Sequence, residues 1–118
     1  FAKLDWLRVP TDLQECEHGY QSYPCLLMPG LVSIENVKSV NATRNDWMDE
    51  LQTMGISTRP ATHAVHMLTF YREKYGLKTE DFPNAFIAND CSISLPLFHG
   101  MTIQEQDYVV EAVINKVW

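Results

Sequence analysis

"YQSYPCLLM", residues 20–28, decides what kind of fold this chain can have. Aromatic and aliphatic residues dominate it, and Gly19 and the pair Pro29-Gly30 bound it on either side. The run is short for a helix and flanked by turn formers, so it predicts a β-strand. Pro24 has no amide proton and is tolerated in a sheet only at an edge or a bulge. With a strand here, the helices predicted elsewhere have a sheet to pack on, and an all-helical bundle is excluded.

Upstream, a short amphipathic piece, Pro10 and the polar "TDLQECEHG" predict a lead-in loop as far as Glu17. Downstream, "PGLVSIENVKSV" reads as a turn followed by a connector of no clear period. Thr43 followed three residues later by Asp46 resembles a capping box, and Trp47, Leu51 and Met54 recur at helical spacing until Gly55. Residues 56–61 are expected to be extended, because Pro60 biases Arg59 away from the helical region.

A second helix is predicted from Thr62 or Ala64 to Tyr75, with Val65, Leu68 and Phe70 or Tyr71 as its apolar face and Gly76 as its stop. Pro83 opens a short third helix. "CSISLPLF", residues 91–98, alternates Ile93, Leu95 and Leu97 as a strand does, with Pro96 marking an edge or an end. The clearest local signal is "TIQE", residues 102–105, a capping box ahead of a helical stripe of Val109, Val110, Val113, Ile114 and Val117.

These elements define an α+β fold, a small and mostly antiparallel sheet with helices packed on one face. The 118 residues, 46% of them apolar, suit one core, so residues 1–118 are expected to form a single domain. A net charge of -6 and nine scattered basic residues argue against nucleic acid as a partner. No apolar run approaches the roughly 20 residues of a membrane span, and no secretory leader is visible, so a soluble, cytoplasmic setting is expected. Three cysteines without metal or CxxC spacing fit reduced, partly buried thiols.

Two features carry candidate chemistry. His63 and His66 stand three residues apart where the second helix is predicted to begin. That spacing suits a metal ion, but no third ligand stands nearby, so no metal site is assigned. Acid–base work, ligand contact and an ordinary helix start all stay open for the pair. Arg59, ahead of Pro60 in a short connection, has the planar fork that grips a phosphate or carboxylate through two N–H donors, although a solvated arginine reads the same way. Neither common phosphate-cradling glycine loop is present.

Taken in order, "GISTRPATHAVHMLTFYREKYG" (residues 55–76) and "FPNAFIANDCSISLPLFHGMTIQEQDYVVEAVINKV" (residues 82–117) resemble the C-terminal segment of the DegT/DnrJ/EryC1/StrS family of pyridoxal-phosphate-dependent sugar aminotransferases. The matching pieces are Gly55-Ile56, His66, Tyr71 and Tyr75, Pro83 and Ala85, the strand from Ser92 to Leu97, and the cap from Met101 to Gln106. "HGYQSYPCLL" resembles the family's His-Tyr-Tyr strand through His18, Tyr20 and Tyr23, and Thr58-Arg59-Pro60 resembles the perosamine-synthase-like branch.

The resemblance implies the C-terminal small domain of a larger enzyme whose N-terminal domain holds pyridoxal phosphate. The parent would transfer an amino group, from glutamate, to a nucleotide-linked keto-sugar, working as a homodimer. It also implies that His66, which matches a family position towards the substrate cleft, is a candidate for substrate contact; its neighbours Arg59 and His63 are further candidates, while no catalytic or cofactor-binding residue is carried over. None of Lys3, Lys38, Lys74, Lys78 and Lys116 lies in a stretch like the family's aldimine-lysine motif, so the fragment alone is expected to be inactive. A subgroup of the family uses histidine in place of that lysine and dehydrates sugars, which is the alternative, with a freestanding binding or assembly module as the rival from another class. A unit built to dock on a larger domain is expected to expose an apolar patch.

Overall fold

The computed structural model describes residue 1, residues 3–28 and residues 30–116. β1 (Leu7–Arg8), β2 (Tyr23–Leu27) and β3 (Ser92–Leu95) form an antiparallel sheet in the order β1-β2-β3. The predicted strand is therefore the central one. It is shorter than expected because Tyr20 and Met28, at φ 43° and 49°, take left-handed conformations that end extended pairing on both sides. β1 corrects the expected lead-in loop: two residues are too few to show alternation, yet Leu7 is buried opposite Leu27.

Pro24 sits in this central strand, and the phase of the ladder explains how. It faces Ser94, whose amide donates away from β2 to the Arg59 carbonyl at 2.7 Å. In an antiparallel pair the N–H and C=O of one residue point to the same side, so Pro24 and Ser94 form a non-hydrogen-bonded pair. The Pro24 nitrogen thus points towards β1, which pairs only with Leu26 and Leu27. Locally Pro24 is on an edge, and no ladder bond is lost.

α1 (Val37–Thr53) and α3 (Pro83–Cys91) cover the face that carries Cys25, Leu27, Ile93 and Leu95. α1 begins six residues before Thr43, which lies inside the helix and donates its hydroxyl to the Ser39 carbonyl at 3.1 Å. The buried stripe is Val37, Val40, Arg44, Trp47 and Leu51, spaced 3, 4, 3 and 4. A charged residue in the middle of that stripe hid its first half from a hydrophobic pattern. Met54, expected on the apolar face, is instead the exposed C-cap residue just after the helix.

The end of α1 is a Schellman motif: Gly55, at φ 77°, donates to the Gln52 carbonyl, and Ile56 donates to that of Leu51. Ile56 is buried, so the turn returns the chain to the core.

The second predicted helix is broken. A 3-10 turn, Val65–Met67, is followed by Leu68 in an extended conformation and then by α2 (Thr69–Tyr75), with Gly76 in the left-handed region as its stop. Its expected inner face is also reversed, since Val65, Leu68, Phe70 and Tyr71 are all exposed and His66 is buried. Pro83 does open α3, β3 ends immediately before Pro96, and α4 (Ile103–Ile114) is capped by Thr102 and Glu105 as the sequence predicts. Val109 and Val113 of α4 join the core, Val110 is half-buried and Ile114 is exposed, while Val117 lies outside the described residues.

The centre of the core is Trp47, whose ring meets Trp6 edge to face at 5.4 Å and 82°. Trp47→Ala is expected to cost about 3–5 kcal/mol, the range for removing a large buried aromatic. Urea denaturation measures this, and a loss below about 1 kcal/mol would contradict the placement of Trp47 at the core's centre.

Candidate functional site

A cleft of about 680 Å3 opens beside the sheet. Its first wall is the passage after α1, where Gly55 and Ile56 end the helix and residues 57–59 run on to the bridge between Arg59 and Ser94. Its second wall is the end of β3 with the residues that follow, 94–98. Its third is the first half of α4, through Glu105, Tyr108 and Val109. The volume lies within the usual range for small-molecule sites, about 300–1,000 Å3.

Arg59 is the cation of this cleft, and Glu105 its carboxylate. The Arg59 backbone is fixed by the bond to Ser94, and its exposed guanidinium has no acidic partner within ion-pair distance among the described residues. An unpaired guanidinium at a cleft wall is a site for an anion. The Thr58 hydroxyl beside it is buried without a hydrogen-bond partner among the described residues. Phe98 and Tyr108 add two exposed rings, and Tyr108 is held by its hydroxyl donating to the Met54 carbonyl at 3.0 Å.

The cleft's carboxylate is committed elsewhere. Glu105 accepts from both the amide and the hydroxyl of Thr102 at 2.8 Å. The backbone bond first, and the hydroxyl bond second, hold its pKa below the usual carboxylate value. Glu105 therefore serves the helix cap and not proton transfer. Among the described residues, no lysine, histidine or cysteine lines the cleft, so its walls can bind and orient but offer no activated nucleophile of those types.

Arg59 is the one predicted site residue that lines the cleft. His63 is exposed in the loop before the 3-10 turn and lies outside the cleft lining. His66 is buried, 6% exposed, with its ring against Phe82 at 5.1 Å and its Nε2 without a partner among the described residues. The loop that carries both is tied to α3 by the Ala64 amide, which donates to the Asn89 side chain at 2.9 Å. The two histidines do not share a helix face. Phe98, Tyr108 and Thr58 were not legible as site residues, because only the packing of α4 against the end of β3 and the 55–59 passage brings them together.

The fold places the chain among small α+β domains with a three-stranded antiparallel sheet. Residues 12–114 match the model of the DegT/DnrJ/EryC1/StrS aminotransferase family, and the chain belongs to that family. It is 32% identical over 113 residues to the uncharacterized protein MJ1066 of Methanocaldococcus jannaschii, covering 96% of this chain and 27% of that protein. It is 34% identical over 77 residues to the spore coat polysaccharide biosynthesis protein SpsC of Bacillus subtilis, covering 64% of this chain and 20% of that protein. The chain thus spans about a quarter or less of the length of these relatives. Among the described residues, no helix is long and apolar enough to cross a membrane.

Away from the cleft, two thiols have shifted protonation. Burial pushes Cys25 up to about 12 from an ordinary 9.0. Cys91 rises to about 11, through burial first and the nearby Asp90 second. Cys16 is exposed. A thiol-specific reagent at pH 8 is expected to label Cys16 rapidly and the other two only on unfolding. Because the unfolded chain gives up these protons near 9 and the native one retains them, stability is full below pH 9 and falls between pH 9 and about 11–12. Equal labelling of all three cysteines in the native protein would contradict both expectations.

Proposed function

We propose that this chain is the C-terminal small domain of a pyridoxal-phosphate-dependent aminotransferase that transfers an amino group, from glutamate, to a nucleotide-linked keto-sugar. Membership of an aminotransferase family supports the reaction class, and the relative named for spore coat polysaccharide biosynthesis supports a sugar as the acceptor. The observation that carries the reading for this chain is Arg59, a cation without an acidic partner among the described residues, whose backbone is held at the wall of a cleft of small-molecule size. A sugar nucleotide presents a diphosphate, and a guanidinium pairs with phosphate oxygens through two parallel donors.

The residues of this cleft do not by themselves fit a pyridoxal phosphate site, because no lysine stands there to bond the cofactor's aldehyde. In this proposal the cofactor and its lysine belong to the N-terminal domain of the longer polypeptide, in a homodimer. The 118-residue chain supplies an anion contact, a hydroxyl-bearing strand and two aromatic rings. His63 and His66 contribute where the second domain or the partner protomer closes over their loop.

After treatment with pyridoxal phosphate and borohydride, the 118-residue chain is expected to show no stoichiometric adduct by intact mass. The longer polypeptide is expected to carry one, on a lysine outside these residues. A single modified lysine within this chain would overturn its reading as the non-catalytic part. In the longer enzyme, Arg59→Ala is expected to raise KM for the nucleotide-sugar about tenfold or more while kcat stays within about threefold. An unchanged KM would remove Arg59 from the site, and a product that loses water without gaining nitrogen would assign dehydration instead.

A further inference from the structure

A second concavity, of about 420 Å3, lies on the other side of the 96–101 loop from the cleft. Phe1 and Tyr23 line one side of it, Leu97, Phe98 and Met101 another, and Val110 of α4 its floor. His99 and Gln106 are its polar side chains besides the Tyr23 hydroxyl, and no aspartate, glutamate, lysine or arginine lines it among the described residues, so it suits a largely apolar, uncharged occupant. Leu97 and Phe98 are 42% and 54% exposed there, more than a side chain at the end of a core strand needs to be.

The chain itself indicates what covers this groove. Phe1 is one of its walls, its ring meeting that of Tyr23 edge-on at 6.2 Å, and its carbonyl accepts the Leu4 amide at 2.9 Å. Any residues that precede Phe1 are therefore delivered to the groove by chain connectivity, at the high effective concentration of an intramolecular partner. The relatives are about four to five times as long as the segment they share with this chain.

We infer that the groove is the seat of the polypeptide immediately preceding Phe1 in the longer protein. This rests on the proposal that the chain is the C-terminal part of a larger enzyme. Seating that segment has a consequence for the cleft, because Leu95, Pro96, Leu97, Phe98, Met101 and Val109 line both concavities. The loop that the segment presses on one side is the cleft wall on the other. Occupation of the groove therefore fixes Phe98 at the cleft.

The test uses the longer polypeptide. In hydroxyl-radical footprinting read by mass spectrometry, Leu97 is compared with Leu31, the same residue type at 73% exposure. An occupied groove is expected to lower labelling of Leu97 about tenfold or more relative to Leu31, as in the buried centre of an interface. Labelling within about twofold overturns the inference. To identify the occupant, Cys16→Ser removes the exposed thiol and Gln106→Cys places one at the groove. Single cysteines are then scanned over about fifteen residues before Phe1, some 22 Å if helical. An intrachain disulfide is expected. Protection of Leu97 with no such disulfide, or with disulfides only between two molecules, assigns the groove to another element or a second copy and overturns the inference. The adduct and kinetic measurements on the same polypeptide report separately, so a filled groove in a protein without amino transfer would overturn only the proposed function.

Discussion

The bond from the Ser94 amide to the Arg59 carbonyl sets the geometry on which the rest depends. It fixes which side of β3 each backbone group faces, and so makes Ser94 and Pro24 a non-hydrogen-bonded pair. Reversing that phase would aim the bare Pro24 nitrogen at β3 and cost a ladder bond. The same bond attaches the passage after α1 to the sheet by a single bridge. Arg59 therefore departs from a hydrogen-bonded backbone position, although its side chain is exposed. The backbone that carries the cation is thereby held at the cleft wall.

The buried Arg44 holds the layers above this sheet. Its Nη1 donates to the Ser92 carbonyl at 2.8 Å, which ties the middle of α1 to the junction where α3 passes into β3. Burial lowers its pKa from the usual value, and Asp90 opposes that shift. Nearby, the Asn41 side chain donates to the Asp90 carbonyl at 2.7 Å, so two side chains one helical turn apart grip consecutive parts of the same junction. Hydrophobic packing can slide along a helix, whereas hydrogen bonds to named carbonyls cannot. These two set the register of α1 against the sheet, and with it the position at which Gly55 turns the chain towards Arg59.

The elements legible in the sequence were those whose signals are local. The Thr102–Glu105 cap, Pro83 at a helix start, Gly76 as a stop and the apolar run of β2 depend on a few neighbouring residues, and each stands where the sequence placed it. The first half of α1 was hidden because Arg44 occupies a core position. The 65–75 region misled for the opposite reason: apolar residues recur there at helical spacing, yet α2 buries none of them. At the site, the guanidinium before a proline in a short connector singled out Arg59, which lines the cleft, although a solvated arginine carries the same mark. Thr58, Phe98 and Tyr108 carry no such mark.

The exposed face of α2 and the open cleft share a feature. Phe70 packs edge-on against Tyr71, Tyr71 stacks on Tyr75, and Lys74 lies over the rings of Phe70 and Tyr75, so the helix satisfies its aromatic groups against one another. Such a cluster adds order to a seven-residue helix but removes little apolar surface from water. The residue that does turn inward nearby is His66, which makes an aromatic contact and leaves a ring nitrogen unpaired. An apolar outer face and an unsatisfied inner histidine invert the order that a self-sufficient domain adopts. The cleft is likewise open, lined by a cation, hydroxyls and rings, with no lysine, histidine or cysteine among the described residues. Both features belong to a segment that matches only 27% and 20% of the length of its relatives.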